Sequence, residues 1–270
     1  MSRHNTAKES VARYWNQASC GTEFIEEIKH SREYFEAIEQ FRYTIEPEIF
    51  AFAQFTRFHG KKVLEVGVGA GTDFLQWVRA GAQAYGVDLT HEAVTNVLHR
   101  LATYNVAACD VQVADAEKLN FADNNFDLVY SWGVIHHSPD PVQCLREIVR
   151  VTKPGGSIKI MVYNRRSLFA FYQYLQHGLL RGKPFASMKK ILAQHQESPG
   201  TQAYTFKEIK NILKDFPVRI NKLQASTTSH DLLYYKKSKF IKACAYIAAC
   251  LSGWDRRGWF MTLDLTKRED

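Results

Sequence analysis

The sequence predicts an α/β protein with a parallel, doubly wound sheet. Two observations lead to this prediction. Short apolar runs alternate with amphipathic segments across residues 62–163, and the first run leads directly into a glycine-rich turn, "VLEVGVGAGTDF" at 63–74. Strands that alternate with helices in this way are typical of β–α–β units. Because such sheets bind ligands beyond the carboxyl ends of their strands, we expect functional residues in the turns that follow the strands.

The predicted elements follow one another in a regular order. Strands are predicted at 63–66, 83–89, 111–115, 126–132, 157–163, 218–225 and 259–267, with helices at 74–81, 91–101, from Pro141 onward and at 239–251. Pro141 follows Asp140, a pair that is typical of a helix start. Thr205 and Glu208 have the spacing of a capping box, which predicts another helix start.

These elements are expected to form one domain over residues 1–270. Its predicted parts are a helical N-terminal cap (1–58), a core (59–163), an insertion or lid (164–204), and a C-terminal part (205–270). The C-terminal part combines a helix and a strand pair with a second, mostly helical insertion at 227–257.

Composition predicts a cytoplasmic protein. The chain is 46% hydrophobic and 23% charged, and no apolar run approaches the ~20 residues of a membrane span. The N-terminal residues have no apolar stretch that could act as a signal peptide. Five cysteines without a CxxC pair favour neither a disulfide framework nor a zinc site, so no metal is expected.

Positive charge is concentrated in the second half of the chain. Residues 1–150 contain 14 Lys+Arg against 20 Asp+Glu, whereas residues 151–270 contain 21 against 8. A basic half is compatible with nucleic acid, anionic lipid or a phosphorylated substrate, and equally with lysines that only solvate the surface.

The spacing of the glycines in this turn distinguishes between two classes of cofactor. A dinucleotide fingerprint, G-x-G-x-x-G, would have its third glycine at residue 72, which is Thr72. The turn instead has Gly67, Gly69 and Gly71, preceded by Glu65. Alternating glycines leave bare backbone on which an extended ligand can lie, and this spacing disfavours a nicotinamide oxidoreductase.

Acidic residues follow the next two strands. Asp88 ends the second strand, where a carboxylate can accept hydrogen bonds from both hydroxyls of a ribose. Asp115 ends the third strand, and together with the backbone N–H of Ala116 it could bind an adenine edge.

At this point the sequence resembles the class I S-adenosylmethionine-dependent methyltransferases of the small-molecule type. The resemblance rests on "LEVGVGAGTDF", "GVDLT", "VADAEKLNFADNNFDLVYSWGVIHH" and "LREIVRVTKPGG", which match that family's motifs in order and spacing over 62–163. It implies a Rossmann-like, seven-stranded, mostly parallel sheet with an antiparallel last strand. It also implies S-adenosyl-L-methionine as cofactor and S-adenosyl-L-homocysteine as product.

The resemblance further implies roles for individual residues. Glu65, Gly67, Gly69 and Gly71 would hold the methionine end of the cofactor, Asp88 the ribose, and Asp115 with Ala116 the adenine. Ser131, at the end of the fourth strand, would approach the sulfonium.

Catalytic candidates lie in the turn after the fourth strand. A base is needed only if the acceptor carries a proton that must leave, and a histidine suits that task at neutral pH. His136 and His137 are both candidates. His137 is similar to the histidine that phosphoethanolamine methyltransferases pair with an N-terminal tyrosine, a position that Tyr14 matches here. A structural role for this histidine remains the alternative.

Acceptor contacts are expected from the cap and from the first insertion. The candidates are Tyr34, Tyr43, Tyr163, Arg165 and Arg166. The two arginines could hold a carboxylate or phosphate, although solvated arginines and core tyrosines are the simpler interpretation.

The sequence thus predicts methyl transfer to O, N or C of a metabolite, glycan or natural product, with an anionic acceptor among the candidates. An RNA methyltransferase that uses the basic C-terminal half is the alternative, opposed by "SWGV" in place of the Asn/Asp-Pro-Pro-aromatic motif and by the lack of a recognisable RNA-binding module. A non-enzymatic binder is a third hypothesis, which the intact glycine and acid set disfavours. The sequence does not determine the oligomeric state.

Overall fold

The computed structural model describes residues 3–17, 19, 21–22, 25–254 and 256–269. A few positions of the predicted cap, Cys20 among them, therefore lie outside the described residues. The helices are α1 (Arg3–Trp15), α2 (Arg32–Ile45), α3 (Glu48–Ala53), α4 (Thr72–Arg79), α5 (His91–Thr103), α6 (Pro141–Val151), α7 (Leu168–His177), α8 (Met188–His195), α9 (Phe206–Leu213) and α10 (Lys239–Ser252). The strands are β1 (Lys62–Val66), β2 (Gln83–Asp88), β3 (Asp110–Val113), β4 (Phe126–Trp132), β5 (Thr152–Tyr163), β6 (Val218–Gln224) and β7 (Phe260–Lys267).

These strands form one seven-stranded sheet in the order β3-β2-β1-β4-β5-β7-β6. The first five strands pair in parallel, and β7 runs antiparallel to both of its neighbours. The predicted fold class is therefore confirmed. Since β1 lies between β2 and β4, the turns after these strands meet at one edge of the sheet.

Each face of the sheet is covered by apolar helices. Alternate residues of β1 point to opposite faces, so Val63 packs with α4 and α5 on one side and Leu64 packs with α6 on the other. Both residues are fully buried. This two-sided burial explains why the strands read as continuous apolar runs.

Two helix starts match their sequence signals. Asp140 caps α6 by accepting a hydrogen bond from the backbone N–H of Gln143, with Pro141 in the first turn. Thr205 and Glu208 form the predicted capping box at the start of α9. The third and fifth strands differ from the prediction in their bounds: β3 ends at Val113, and β5 begins at Thr152, since the "KPGG" segment continues the strand.

Candidate active site

A pocket opens at the carboxyl ends of β1, β2 and β4 and is covered by α1. Its lining among the described residues includes seven predicted site residues: Glu65, Gly67, Gly69, Asp88, Asp115, Ala116 and His137. The cap contributes Lys8, Val11 and Trp15, which recur at three- and four-residue spacing and so share one side of α1.

The three glycines of the turn have positive φ angles but serve different purposes. At Gly67, an added Cβ would lie 2.1 Å from Val134 Cγ2, and at Gly71 it would lie 2.9 Å from Val97 Cγ2. At Gly69 (φ +52°), no described atom outside the adjacent residues lies within 4 Å of that position. Packing therefore requires glycine at the outer two positions, whereas Gly69 keeps backbone open to the pocket.

Asp88 ties the end of β2 to the glycine turn. Its Oδ2 accepts a hydrogen bond from the Gly69 N–H at 3.1 Å, and its Oδ1 accepts from the Thr90 N–H and hydroxyl at 3.0 and 2.9 Å. Burial raises the pKa of Asp88, although these hydrogen bonds oppose the shift. The carboxylate thus has a fixed position at the pocket wall.

Asp115 contacts the cap through an ion pair. Lys8 Nζ lies 2.5 Å from Asp115 Oδ2 and also donates to Glu117, while Asp115 Oδ1 accepts from the Glu117 N–H at 2.9 Å. His4 Nε2 lies 2.7 Å from Glu117 Oε2. Helix α1 is therefore anchored directly over the predicted adenine end of the pocket.

A buried charged group lies at the opposite end of the pocket. Arg42 of α2 donates to both carboxylate oxygens of Asp73, at 3.2 and 2.9 Å, and Tyr130 donates to the same carboxylate at 3.0 Å. Glu65 is 3% exposed, and its Oε2 has no hydrogen-bond partner among the described residues. Burial, followed by repulsion from Asp73, raises the pKa of Glu65 well above its usual range.

His137 is held by the first insertion. Its Nδ1 lies 2.8 Å from Ser198 Oγ and 3.0 Å from Thr201 Oγ1, and its Nε2 lies 3.2 Å from Glu197 Oε2. Thr201 uses its own hydroxyl hydrogen to donate to the Ser198 carbonyl at 2.7 Å. The Trp15 ring packs edge-on against the imidazole, with centroids 5.2 Å apart. Both ring nitrogens therefore face polar groups of the insertion.

Glu197 links this histidine to a predicted acceptor residue. The Tyr163 hydroxyl donates to Glu197 Oε2 at 2.9 Å. Partial desolvation of Glu197 opposes ionisation, but the charged contact with His137 and the hydrogen bond from Tyr163 lower the pKa of Glu197. An ionised Glu197 orients the two side chains that approach it.

His136, Ser131 and Tyr14 are among the predicted residues that lie outside the pocket lining. His136 is fully buried, and neither of its ring nitrogens has a hydrogen-bond partner in the described part of the chain. Its ring packs against that of Tyr163, with the ring centroids 4.0 Å apart. Ser131 is fully buried one residue before Trp132, which lines the pocket. Tyr14 is 38% exposed, since the helix register places Trp15 against His137 instead.

Most of the predicted acceptor residues are engaged in structural contacts. Tyr34 is buried beside Phe35 and Ile38, and Tyr43 donates to Asp73 at 3.1 Å.

The two arginines differ in their surroundings. Arg165 donates to both oxygens of Glu208, at 2.6 and 2.7 Å, and to the Ala203 carbonyl at 2.7 Å. Arg166 is exposed, and its backbone N–H donates to Asn164 Oδ1. Because the Arg165 guanidinium is already paired, the two arginines do not form the clamp for an anion that the sequence suggested.

Sequence reasoning missed several pocket residues, namely Lys8, Trp15, Arg42 and Asp73, together with Glu197 beside His137. Only Asp73 had a local signal, which is its position in the first turn of α4 directly after the glycine turn. In the described part of the chain, no group of three or more His, Cys, Asp or Glu side chains could hold a metal ion. No described helix has the length and apolar character needed to cross a membrane.

This chain is similar to known proteins in sequence and in fold. Residues 64–160 match the family described as "Methyltransferase domain". Cycloartenol-C-24-methyltransferase 1 of Oryza sativa subsp. japonica is 39% identical over 99 residues, which cover 36% of this chain and 28% of that protein. Tocopherol O-methyltransferase of Arabidopsis thaliana is 36% identical over 118 residues, covering 43% and 34%. The matched part thus spans about a third or less of these curated relatives.

The fold extends further than these sequence matches. The crystal structure of geranyl diphosphate C-methyltransferase from Streptomyces coelicolor A3(2) superimposes with a TM-score of 0.63 at 14% identity, covering 97% of this chain and 98% of that one. At this identity the match shows the fold alone. The family match and the shared sheet lead to one conclusion: this chain contains a methyltransferase domain, matched over residues 64–160, with the fold of the class I S-adenosylmethionine-dependent methyltransferases.

Proposed function

We propose that this chain transfers a methyl group from S-adenosylmethionine to a small-molecule acceptor. The observation that carries the proposal is one continuous pocket. It runs from Asp115 past Asp88 and the glycine turn to His137, beneath α1. The predicted cofactor residues and a histidine thus share one pocket.

The residues at the cofactor end fit S-adenosylmethionine. The buried Oε2 of Glu65 needs a donor, and the α-ammonium group of the cofactor would supply one. Arg42 lines the same end, and the N–H groups that it does not use for Asp73 would donate to the α-carboxylate. Asp88 would accept from the ribose hydroxyls, and Asp115 with the Ala116 N–H would bind the adenine.

Bound there, the cofactor supplies an electrophilic methyl group on a sulfonium. The main task of the protein is then alignment of the acceptor, which can account for several kcal/mol of the barrier. Val11 and Trp15 of α1 cover the pocket with apolar surface and exclude water. We propose that the acceptor binds at the end of the pocket that is lined by Trp132, Gly133 and His137.

His137 is the candidate base for an acceptor that loses a proton. In the structure its Nε2 faces Glu197 and its Nδ1 faces two hydroxyls. One of these nitrogens could take a proton from the acceptor only after the acceptor has displaced the group that now faces it. Glu197 would then hold the imidazole in position and stabilise the positive charge that the imidazole gains with the proton.

The relatives support a small acceptor without identifying it. Their names specify a sterol carbon and a tocopherol oxygen, so the shared domain is compatible with acceptors that differ in size and in the methylated atom. RNA remains the second candidate because residues 151–270 are strongly basic.

The test is transfer of labelled methyl from S-adenosylmethionine into a lysate of the source organism, separated into RNA, lipid, protein and small-molecule fractions. We expect label in the small-molecule or glycan fraction, or in lipid if the acceptor is lipid-linked. A matched Asp88→Ala protein should transfer none. Label mainly in RNA or protein would overturn the small-molecule proposal.

A further inference from the structure

The two insertions present an unusual surface. On α10, Phe240, Cys244, Ile247 and Leu251 recur at four- and three-residue spacing, so they share one side of the helix. Phe240 is 78% exposed, Ile247 57% and Leu251 85%, while Ala249 on the opposite side is buried. A surface helix ordinarily turns its apolar stripe toward the core, so α10 has the reverse orientation.

A second exposed apolar segment belongs to the first insertion. In the connection between α7 and α8, Leu180 is 79% exposed and Phe185 is 99% exposed. Both this connection and α10 contact α7, where Phe171 is 54% exposed. We call the six side chains the insertion patch: Phe171, Leu180, Phe185, Phe240, Ile247 and Leu251.

The chain around the insertion patch is uniformly basic. Segments 178–190 and 236–252 contain eight basic residues and no acidic residue. The eight are Arg181, Lys183, Lys189, Lys190, Lys236, Lys237, Lys239 and Lys242. Large exposed apolar side chains combined with one sign of charge require a partner that is both apolar and anionic.

We propose that the insertion patch docks this chain on an anionic lipid membrane surface, with α10 lying in the plane of the interface. Its apolar stripe would enter the acyl boundary, and the lysines would contact the lipid phosphates. With 14 residues, α10 is about 21 Å long, which suits an in-plane position.

Charge and shape favour lipid over other occupants. A second copy of the chain would bring eight basic residues against eight, which opposes association. A nucleic acid would pair with the lysines but would leave Leu180, Phe185 and Leu251 in water. The first insertion also supplies Ser198 and Thr201 to His137, so the docking segment and a wall of the pocket belong to one part of the chain.

The test is cosedimentation of the full chain with phosphatidylcholine vesicles, with and without phosphatidylglycerol. We expect binding to the phosphatidylglycerol vesicles and at least about tenfold weaker binding to phosphatidylcholine alone. Ile247→Ser/Leu251→Ser and Lys239→Gln/Lys242→Gln should each weaken binding by at least about tenfold. Leu98→Ser, which changes an exposed leucine (52%) on α5 outside the insertion patch, should bind as the wild type does.

Three results would overturn this proposal. The first is no binding to phosphatidylglycerol vesicles, or binding that the variants do not change. The second is a lipid-free dimer in light scattering that Ile247→Ser/Leu251→Ser dissociates. The third is binding of single-stranded RNA that the lysine variant weakens and the apolar variant does not.

Discussion

Lys8 Nζ in α1 lies 2.5 Å from Asp115 Oδ2, although the two residues are 107 positions apart in the chain. Asp115 lies in the turn after β3. This ion pair joins the cap to the end of the pocket where we propose that adenine binds. Because Lys8 also pairs with Glu117, one lysine holds α1 against two carboxylates. The cap must therefore loosen at this point for that end of the pocket to open.

Removing this lysine should speed cofactor release. In Lys8→Met, α1 loses its charged contacts with Asp115 and Glu117, and partly buried ion pairs of this kind contribute roughly 1 kcal/mol. We expect the dissociation rate of S-adenosylhomocysteine to rise about three- to tenfold in stopped-flow fluorescence. Lys29→Met, which removes a more exposed pair with Glu92, is the control. Equal rates in both variants would contradict a role for Lys8 in closing the pocket.

Asp88 should be essential for cofactor binding. Asp88→Ala removes the carboxylate that fixes the Gly69 N–H and that would accept from the ribose hydroxyls. We expect the affinity for S-adenosylmethionine to fall at least about 100-fold in titration calorimetry, since hydrogen bonds to a charged group contribute about 1.5–3 kcal/mol each. Asp110→Ala, at the exposed start of β3, should bind normally. Unchanged affinity in Asp88→Ala would end the ribose assignment.

Two glycines of the same turn should respond differently to alanine. Gly67→Ala combines the strain of a positive φ (+85°) with a Cβ forced against Val134, so we expect a loss of about 2–5 kcal/mol in the free energy of unfolding, measured with urea. Gly69→Ala meets no such contact and should cost only about 1–2 kcal/mol of backbone strain. Calorimetry on folded Gly69→Ala should nevertheless show weakened cofactor binding. Normal binding there would argue that the ligand does not approach this backbone.

His137 should affect turnover more than binding. With the acceptor identified, His137→Ala should keep its cofactor affinity and lose at least about 100-fold in kcat, the usual scale for a general base. Glu197→Gln should lower kcat less, since it removes only the carboxylate beside Nε2. Tyr14→Phe, which changes a residue outside the pocket lining, should retain full activity. A loss below about fivefold in His137→Ala would leave His137 a structural role.

Glu117 should stabilise the fold in a defined pH window. Burial alone would raise its pKa, but hydrogen bonds from Lys8, Ser138 and His4 outweigh burial and lower the pKa of Glu117 from 4.5 to about 2. Its contribution is therefore fully present above pH 4.5 and is lost as the pH falls toward 2, with a size on the order of 2–3 kcal/mol. Glu117→Gln should be less stable than the wild type at pH 7, and this difference should shrink below pH 4.5 in denaturant unfolding. The exposed Glu36→Gln is the control, and a difference that does not change with pH would refute the assignment.

The sequence by itself determined the sheet and part of the pocket lining. Glycine spacing, strand-end acids and alternating periodicity are local properties, so Gly67, Gly69, Asp88 and Asp115 were predicted where the structure has them. The bounds of β3 and β5 were less certain, because strand pairing extends or ends a strand beyond its apolar run.

Only the tertiary structure decided which side chains meet around His137 and Arg42. His137 is held by Glu197 and its neighbours, Arg42 is paired with Asp73, and Trp15 occupies the place that Tyr14 was expected to take. Each of these contacts joins segments that are distant in the sequence, because the cap or the first insertion folds back over the pocket. A one-residue change in helix register moves a side chain by about 100° around the axis, and local periodicity does not record the register that packing selects.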